Sequence, residues 1–148
     1  MKFSKRSRYG IRALIDLAQN SDGTCMQLSE IAARNSISIK YLEQIFAALR
    51  KSGILRSVKG PQGGYSLTKA PGNLKVADII RALDGSYLLE PEESSGGENG
   101  ECEVLAVQSE IIDPINKQID QFLNTLTLQK LVECAENYKE VEQDMYYI

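Results

Sequence analysis

The stretch SIKYLEQIFAALRKSG, Ser38 to Gly53, decides how this chain is read. Ser38 is a favourable N-cap, since its hydroxyl can accept from a backbone N–H one turn on. Leu42, Ile45, Phe46 and Leu49 recur at helical spacing and form one buried stripe, and Gly53 stands where a helix closes in a left-handed conformation. At about 100° per residue, Lys40, Gln44 and Lys51 fall opposite that stripe, with Ala47 and Ala48 nearby. Small and polar residues there allow another surface to come close; an ordinary solvated face is the plainer alternative.

Upstream, Leu28 to Arg34 makes a short helix ended by Asn35 and Ser36, so two helices follow each other across a few residues as a helix-turn-helix. Ahead of it, past the loop signal Asn20 to Gly23, Ser4 can cap a first helix with Ile11, Leu14, Ile15 and Ala18 on its apolar stripe. Lys5, Arg8 and Arg12 line a neighbouring face of that helix, as phosphate contacts or as a solvated row. Downstream, Ile54 to Val58 and Tyr65 to Leu67 read as strands joined by Lys59-Gly60-Pro61-Gln62-Gly63-Gly64, a β-hairpin or wing. Its glycines let the backbone approach a surface, Lys59 supplies charge and Gln62 can hydrogen-bond base edges or phosphate. The spacing is not that of a phosphate-binding P-loop.

The overall charge of −3 hides a division. Residues 1 to 86 carry 14 Lys and Arg against 6 Asp and Glu, whereas residues 87 to 148 carry 3 against 14. A basic half beside an acidic half is the footprint expected if only the N-terminal part faces nucleic acid. Histidine is absent, which removes the usual activation of a Ser or Cys nucleophile and most catalytic zinc sites. Cys25, Cys102 and Cys134 lie too far apart in sequence for a metal-ligand motif, so no metal is expected and the chain is not read as an enzyme. Scattered thiols, a basic polar start and no long apolar run give the expectation of a cytoplasmic protein.

Val76, Ile79, Ile80 and Leu83 mark a helix stopped by Gly85. Glu90 to Glu103, rich in Glu, Gly and Ser, reads as an acidic mobile loop within residues 87–103. Val104, Val107, Ile111, Ile115, Ile119, Phe122 and Leu126 then form an apolar stripe wide enough to want a partner, either its own winged domain or, more commonly for such a helix, a second copy of the chain. At Asp113-Pro114 this helix either starts, with Asp113 as N-cap, or kinks. Thr127 caps a last helix through Leu128, Leu131, Val132 and Ala135, and residues 137–148 read as a tail. The fold class is mainly α with a small β-hairpin: a winged helix-turn-helix domain over 1–86, then dimerisation helices over 104–136.

Ser7 to Gly10, Tyr41 to Gln44, Leu49 to Leu55, Lys59 to Tyr65 and Asp78 to Gly85 together resemble the IscR/CymR family of winged-helix bacterial repressors. The resemblance implies a homodimer on an inverted repeat of double-stranded DNA. By motif position it assigns DNA contacts to Ser38, Lys40, Tyr41, Glu43, Gln44, Lys59, Gly60, Pro61 and Gln62. Tyr41 comes from the resemblance alone, because periodicity puts it at the rim of the apolar stripe. Iron–sulphur members carry three cysteines close together in the loop before the long helix; this chain has only Cys102 there, so no cofactor is expected, and a cluster-sensing regulator of the same fold is the alternative. Asp144 to Ile148 is similar to the C-terminus of CymR-type regulators of cysteine metabolism. That similarity implies cysteine synthase as partner, with Tyr147 and Ile148 as the binding residues. Cys25, just before the helix-turn-helix, is a redox candidate, with a buried inert thiol as the alternative.

Overall fold

A computed structural model describes residues 3–94, 96 and 100–146. Helix α1, Lys5–Asn20, starts where Ser4 Oγ accepts from the Ser7 amide at 3.1 Å. The same cap is held by Asp84, at the far end of the domain in sequence. The Ser4 amide and the Ser7 hydroxyl donate to its carboxylate at 3.0 and 2.7 Å, and the Ser4 hydroxyl donates to it as well. A carboxylate at a helix N-terminus meets unpaired amides and the positive end of the helix dipole, so the pairing fixes where α1 begins. Further along, Gly10 lets α1 lie tight on its neighbours, since a Cβ there would stand 2.5 Å from Leu83 and 3.2 Å from Ile45.

Helices α2, Leu28–Asn35, and α3, Ile39–Lys51, are joined by a turn in which Ser36 takes a left-handed conformation and Ile37 is buried. Strands β1, Leu55–Val58, and β2, Gly64–Leu67, pair antiparallel from Leu55 opposite Leu67 to Val58 opposite Gly64. Met26, before α2, exchanges two backbone hydrogen bonds with Tyr65, of 2.9 and 2.7 Å, and so ties the hairpin to the front of the helix-turn-helix. Gly64 makes this approach possible: its φ is +139° and a Cβ would stand 2.2 Å from the Met26 carbonyl oxygen. A 3-10 turn, Pro71–Asn73, leads into α4, Val76–Asp84, closed by Gly85 at φ +78°. The core joins Leu14 and Leu17 of α1, Ile31 of α2, Leu42, Ile45, Phe46 and Leu49 of α3, Leu55 of β1 and Ile79 of α4.

The second half departs from the sequence expectation in three places. Helix α5, Glu101–Val107, runs through a π turn, Gln108–Ile112, into α6, Asp113–Thr125, without leaving helical dihedrals. Asp113 is therefore no N-cap. Pro114 cannot donate to the preceding turn and its ring crowds it, and the wider π turn just ahead relieves both. Next, α7, Leu128–Tyr146, keeps its Thr127 cap, whose Oγ1 accepts from the Lys130 amide at 3.2 Å, but continues well past residue 136, so most of the expected tail is helix. Tyr147 and Ile148 lie outside the described residues. Its first turns belong to the winged-domain core, with Leu128 and Val132 buried; Val76 donates to the Leu126 carbonyl and Leu128 to the Leu74 carbonyl, both at 2.9 Å.

Finally, the loop after α4 is anchored at its start and ends earlier than expected, α5 beginning at Glu101. Tyr87 is only 3% exposed, and its hydroxyl donates to Asp120 Oδ1 at 2.5 Å and accepts from Arg81 at 2.7 Å. Burial, then the hydrogen bond to the Asp120 carboxylate, raises the Tyr87 phenol above its ordinary value. One turn earlier on α6, Asn116 accepts from the Leu89 amide and donates to its carbonyl, at 2.7 and 3.1 Å. Among the described residues, no helix is long and apolar enough to cross a membrane.

Candidate nucleic-acid interface

The exposed side of the winged domain is assembled by three elements. On α3, Ser38 Oγ caps the helix by accepting from the Tyr41 amide at 3.1 Å, and Lys40 stands exposed on the first turn. Lys40, Glu43, Gln44, Ala47 and Lys51 are all exposed, while Leu42, Ile45, Phe46 and Leu49 are buried. The helix therefore has one rigid side and one available side, the geometry needed to enter a major groove. Tyr41 is half-buried between the two.

The wing turn holds Lys59, Gly60, Pro61 and Gln62, all exposed, closed by a bond from the Gly63 amide to the Gly60 carbonyl at 3.0 Å. Arg50, at the end of α3, donates to Ser57 Oγ on β1 at 3.1 Å, which fixes the hairpin's direction relative to the helix. Lys5 and Arg8 are exposed on the first turns of α1. Arg8 lies 5.1 Å above the Phe3 ring, and Lys5 and Arg12 lie 5.3 and 5.2 Å from the Tyr9 ring centroid. The α1 and α3 groups meet where the Tyr9 and Tyr41 rings stand edge to face, 5.9 Å apart. Arg34 of α2 clamps Asp16 of α1 through 2.6 and 2.9 Å bonds, which raises the guanidinium pKa further and makes α1 and α2 one body.

Cys25 is half-buried in a surface cleft of about 450 Å³ shared with Gln27, Glu30, Pro61 and Gln62, so the thiol lies beside the wing turn. Position along the chain could not have shown this; the Met26–Tyr65 pairing brings the two together. Sequence periodicity also missed Tyr9 and Arg50, which act between elements. Cys102 and Cys134 are exposed on α5 and α7.

A helix-turn-helix, a glycine-built wing and a polar recognition face on a rigid core define a winged-helix transcriptional regulator. The comparisons agree: the model of the Rrf2 family, described as iron-dependent transcriptional regulators, matches residues 3–134, and this chain belongs to that family. It is 37% identical over 138 residues to the HTH-type transcriptional regulator IscR of Citrobacter koseri, covering 92% of this chain and 82% of that one. Among solved structures, CymR of B. subtilis, the global cysteine regulator, superposes with a TM-score of 0.72 at 31% identity, covering 90% of this chain and 97% of that one. IscR of T. potens gives 0.72 at 37%, over 93% and 90%. These relatives are regulators, not enzymes, and the IscR/CymR resemblance drawn from the sequence names the same group.

Iron in this family raises the question of a cluster. Iron–sulphur clusters are held by thiolates, with histidine as the common substitute. The chain has no histidine, its three cysteines lie on separate elements, and among the described residues no group of three His, Cys, Asp or Glu is placed to hold a metal. The donor set does not fit such a cluster.

Proposed function

We propose that this chain is a homodimeric repressor that reads an inverted-repeat duplex with α3 and the wing. The observation that carries the reading is the exposed polar row of α3, flanked by the wing turn on one side and the α1 cations on the other. In this scheme Lys5, Arg8 and Lys59 hold phosphates and set the register, while Ser38, Lys40, Tyr41 and Gln44 read bases. Glu43 accepts from a cytosine amino group, and Gly60, Pro61 and Gln62 bring the wing backbone to the duplex.

The second copy is supported by an unpartnered seam. Ile111 and Phe122 are 52% and 64% exposed, with Val107 and Ile115 alongside. Next to them lies an apolar groove of about 710 Å³ lined by Phe3, Ile11, Ile80, Phe122, Leu126 and Leu131. Exposed apolar surface of this extent marks an interaction site, and a two-fold pairing offers the seam and groove of each copy to the other. Repression then follows from occupying the duplex in place of polymerase.

The regulon we assign is sulphur and cysteine metabolism, on the similarity to the B. subtilis cysteine regulator and on a donor set that does not fit a cluster. Cysteine synthase is the partner, met by Tyr147 and Ile148. Cys25 is a redox candidate whose oxidation would add a polar group beside Pro61 and Gln62. The similarity to IscR favours a second reading, cluster sensing, and anaerobic purification separates the two. Colourless, iron-free protein that selects sulphur-gene promoters from a genomic duplex pool, with a response to added cysteine synthase, supports the first. Brown, iron-loaded protein overturns it.

A further inference from the structure

Tyr41 opens the recognition helix half-buried, and the ring that supports it belongs to another helix. We propose that Tyr9 is a positioning residue for duplex recognition, acting through its ring. The proposal rests on the reading of α3 as the recognition helix.

Tyr9 is half-buried on α1, and its ring serves three neighbours at once. Lys5 and Arg12 lie 5.3 and 5.2 Å from its centroid, and Tyr41 stands at 5.9 Å with the planes 83° apart. An aromatic face attracts cations and its edge geometry favours a perpendicular partner, so one ring fixes all three. Arg12 also donates to the carbonyl of Asn35, the last residue of α2, at 3.1 Å, so the ring, the cation and the helix-turn-helix corner form one unit. Its phenolic oxygen makes no hydrogen bond among the described residues, so the ring and not the hydroxyl does the positioning.

The consequence for binding is preorganisation. Lysine and arginine each carry large rotamer freedom, which is lost when they meet a phosphate. Held on Tyr9 beforehand, Lys5 and Arg12 form a cationic rim continuous with Tyr41 at the start of α3. Arg12 thereby joins the phosphate-facing set, and Tyr41, whose place facial periodicity did not explain, is set by the ring behind it.

The test uses the full chain and a duplex selected by the wild-type protein from a randomised pool, with a scrambled duplex of equal composition, by fluorescence anisotropy across a salt series. Tyr9→Phe keeps the ring and binds within about two-fold of wild type. Tyr9→Leu loses about ten-fold on the selected duplex, and its slope against log salt flattens by about one phosphate contact. Arg12→Gln, a surface change that leaves the core intact, flattens the slope by about one unit in the same way. Three results overturn the proposal: Tyr9→Leu binding like wild type, Tyr9→Phe losing as much as Tyr9→Leu, or Arg12→Gln leaving the slope unchanged. If Tyr9→Leu does not fold, a loss of about ten-fold in Tyr9→Phe or an unchanged slope in Arg12→Gln still overturns the proposal. Lys40→Ala in the same series separates the two claims, since its failure to weaken binding removes the α3 reading itself.

Discussion

Replacing Gly64 by alanine tests how the wing is held. The new Cβ would stand 2.2 Å from the Met26 carbonyl oxygen, so the chain must move. Moving it breaks the pair of backbone bonds between Met26 and Tyr65, worth about 1 kcal/mol each. A φ of +139° adds strain of about 1 to 2 kcal/mol for any L side chain. The sum is roughly 3 to 4 kcal/mol, which in a chain of this size lowers the melting midpoint by about 10 °C. Gly60 is the control, because its φ is +109° but a Cβ there meets nothing within 4 Å. Gly60→Ala should therefore show only the strain, about a third of the loss. Calorimetry on both variants, with anisotropy at a temperature where each is folded, separates stability from binding. Equal midpoints for the two variants would refute the claim that Gly64 is needed for the contact with Met26.

Ser38→Ala removes the oxygen that accepts from the Tyr41 amide and should cost about 1 kcal/mol in urea unfolding, with weaker duplex binding because the first turn of α3 frays. Phe122→Glu places a carboxylate on an exposed seam residue, so the monomer should fold normally while sedimentation shows the dimer lost; an unchanged mass would place the two-fold contact elsewhere. Tyr87 gives a pH dependence. Its folded pKa is raised above the ordinary 10.0, so its contribution to stability is complete below about pH 10 and is lost as pH rises through the folded value. In urea midpoints measured from about pH 9 to 11, the wild type should fall more steeply than Tyr87→Phe, and parallel curves would contradict the assignment.

The winged domain was legible because each of its elements carries local punctuation. Ser4 and Ser38 cap their helices through side chains, Gly53 and Gly85 close theirs at positive φ, and the wing is bounded by glycines. The second half lacks such marks. Gly100 to Glu103 is as acidic as the loop before it, so the start of α5 cannot be told from composition. Pro114 signals a break that a π turn absorbs, an adjustment with no residue signature. Beyond Ala135, the large apolar residues of α7 are Tyr138, Val141, Met145 and Tyr146, all exposed, too thin a pattern to mark a helix. On the candidate interface, the exposure of Lys40 and Gln44 followed from facial periodicity alone. Tyr9, Arg50 and the approach of Cys25 to the wing depend on contacts between elements far apart in sequence, which no local pattern encodes.

The central claim is that α3 meets the duplex through its exposed row. The most direct measurement is the affinity of wild type and Lys40→Ala for the selected and scrambled duplexes at matched salt, with Lys130→Ala, on α7, as the control. The account predicts that Lys40→Ala weakens the selected duplex by about ten-fold and narrows its advantage over the scrambled one, while Lys130→Ala changes neither. Equal behaviour of the two variants would contradict it.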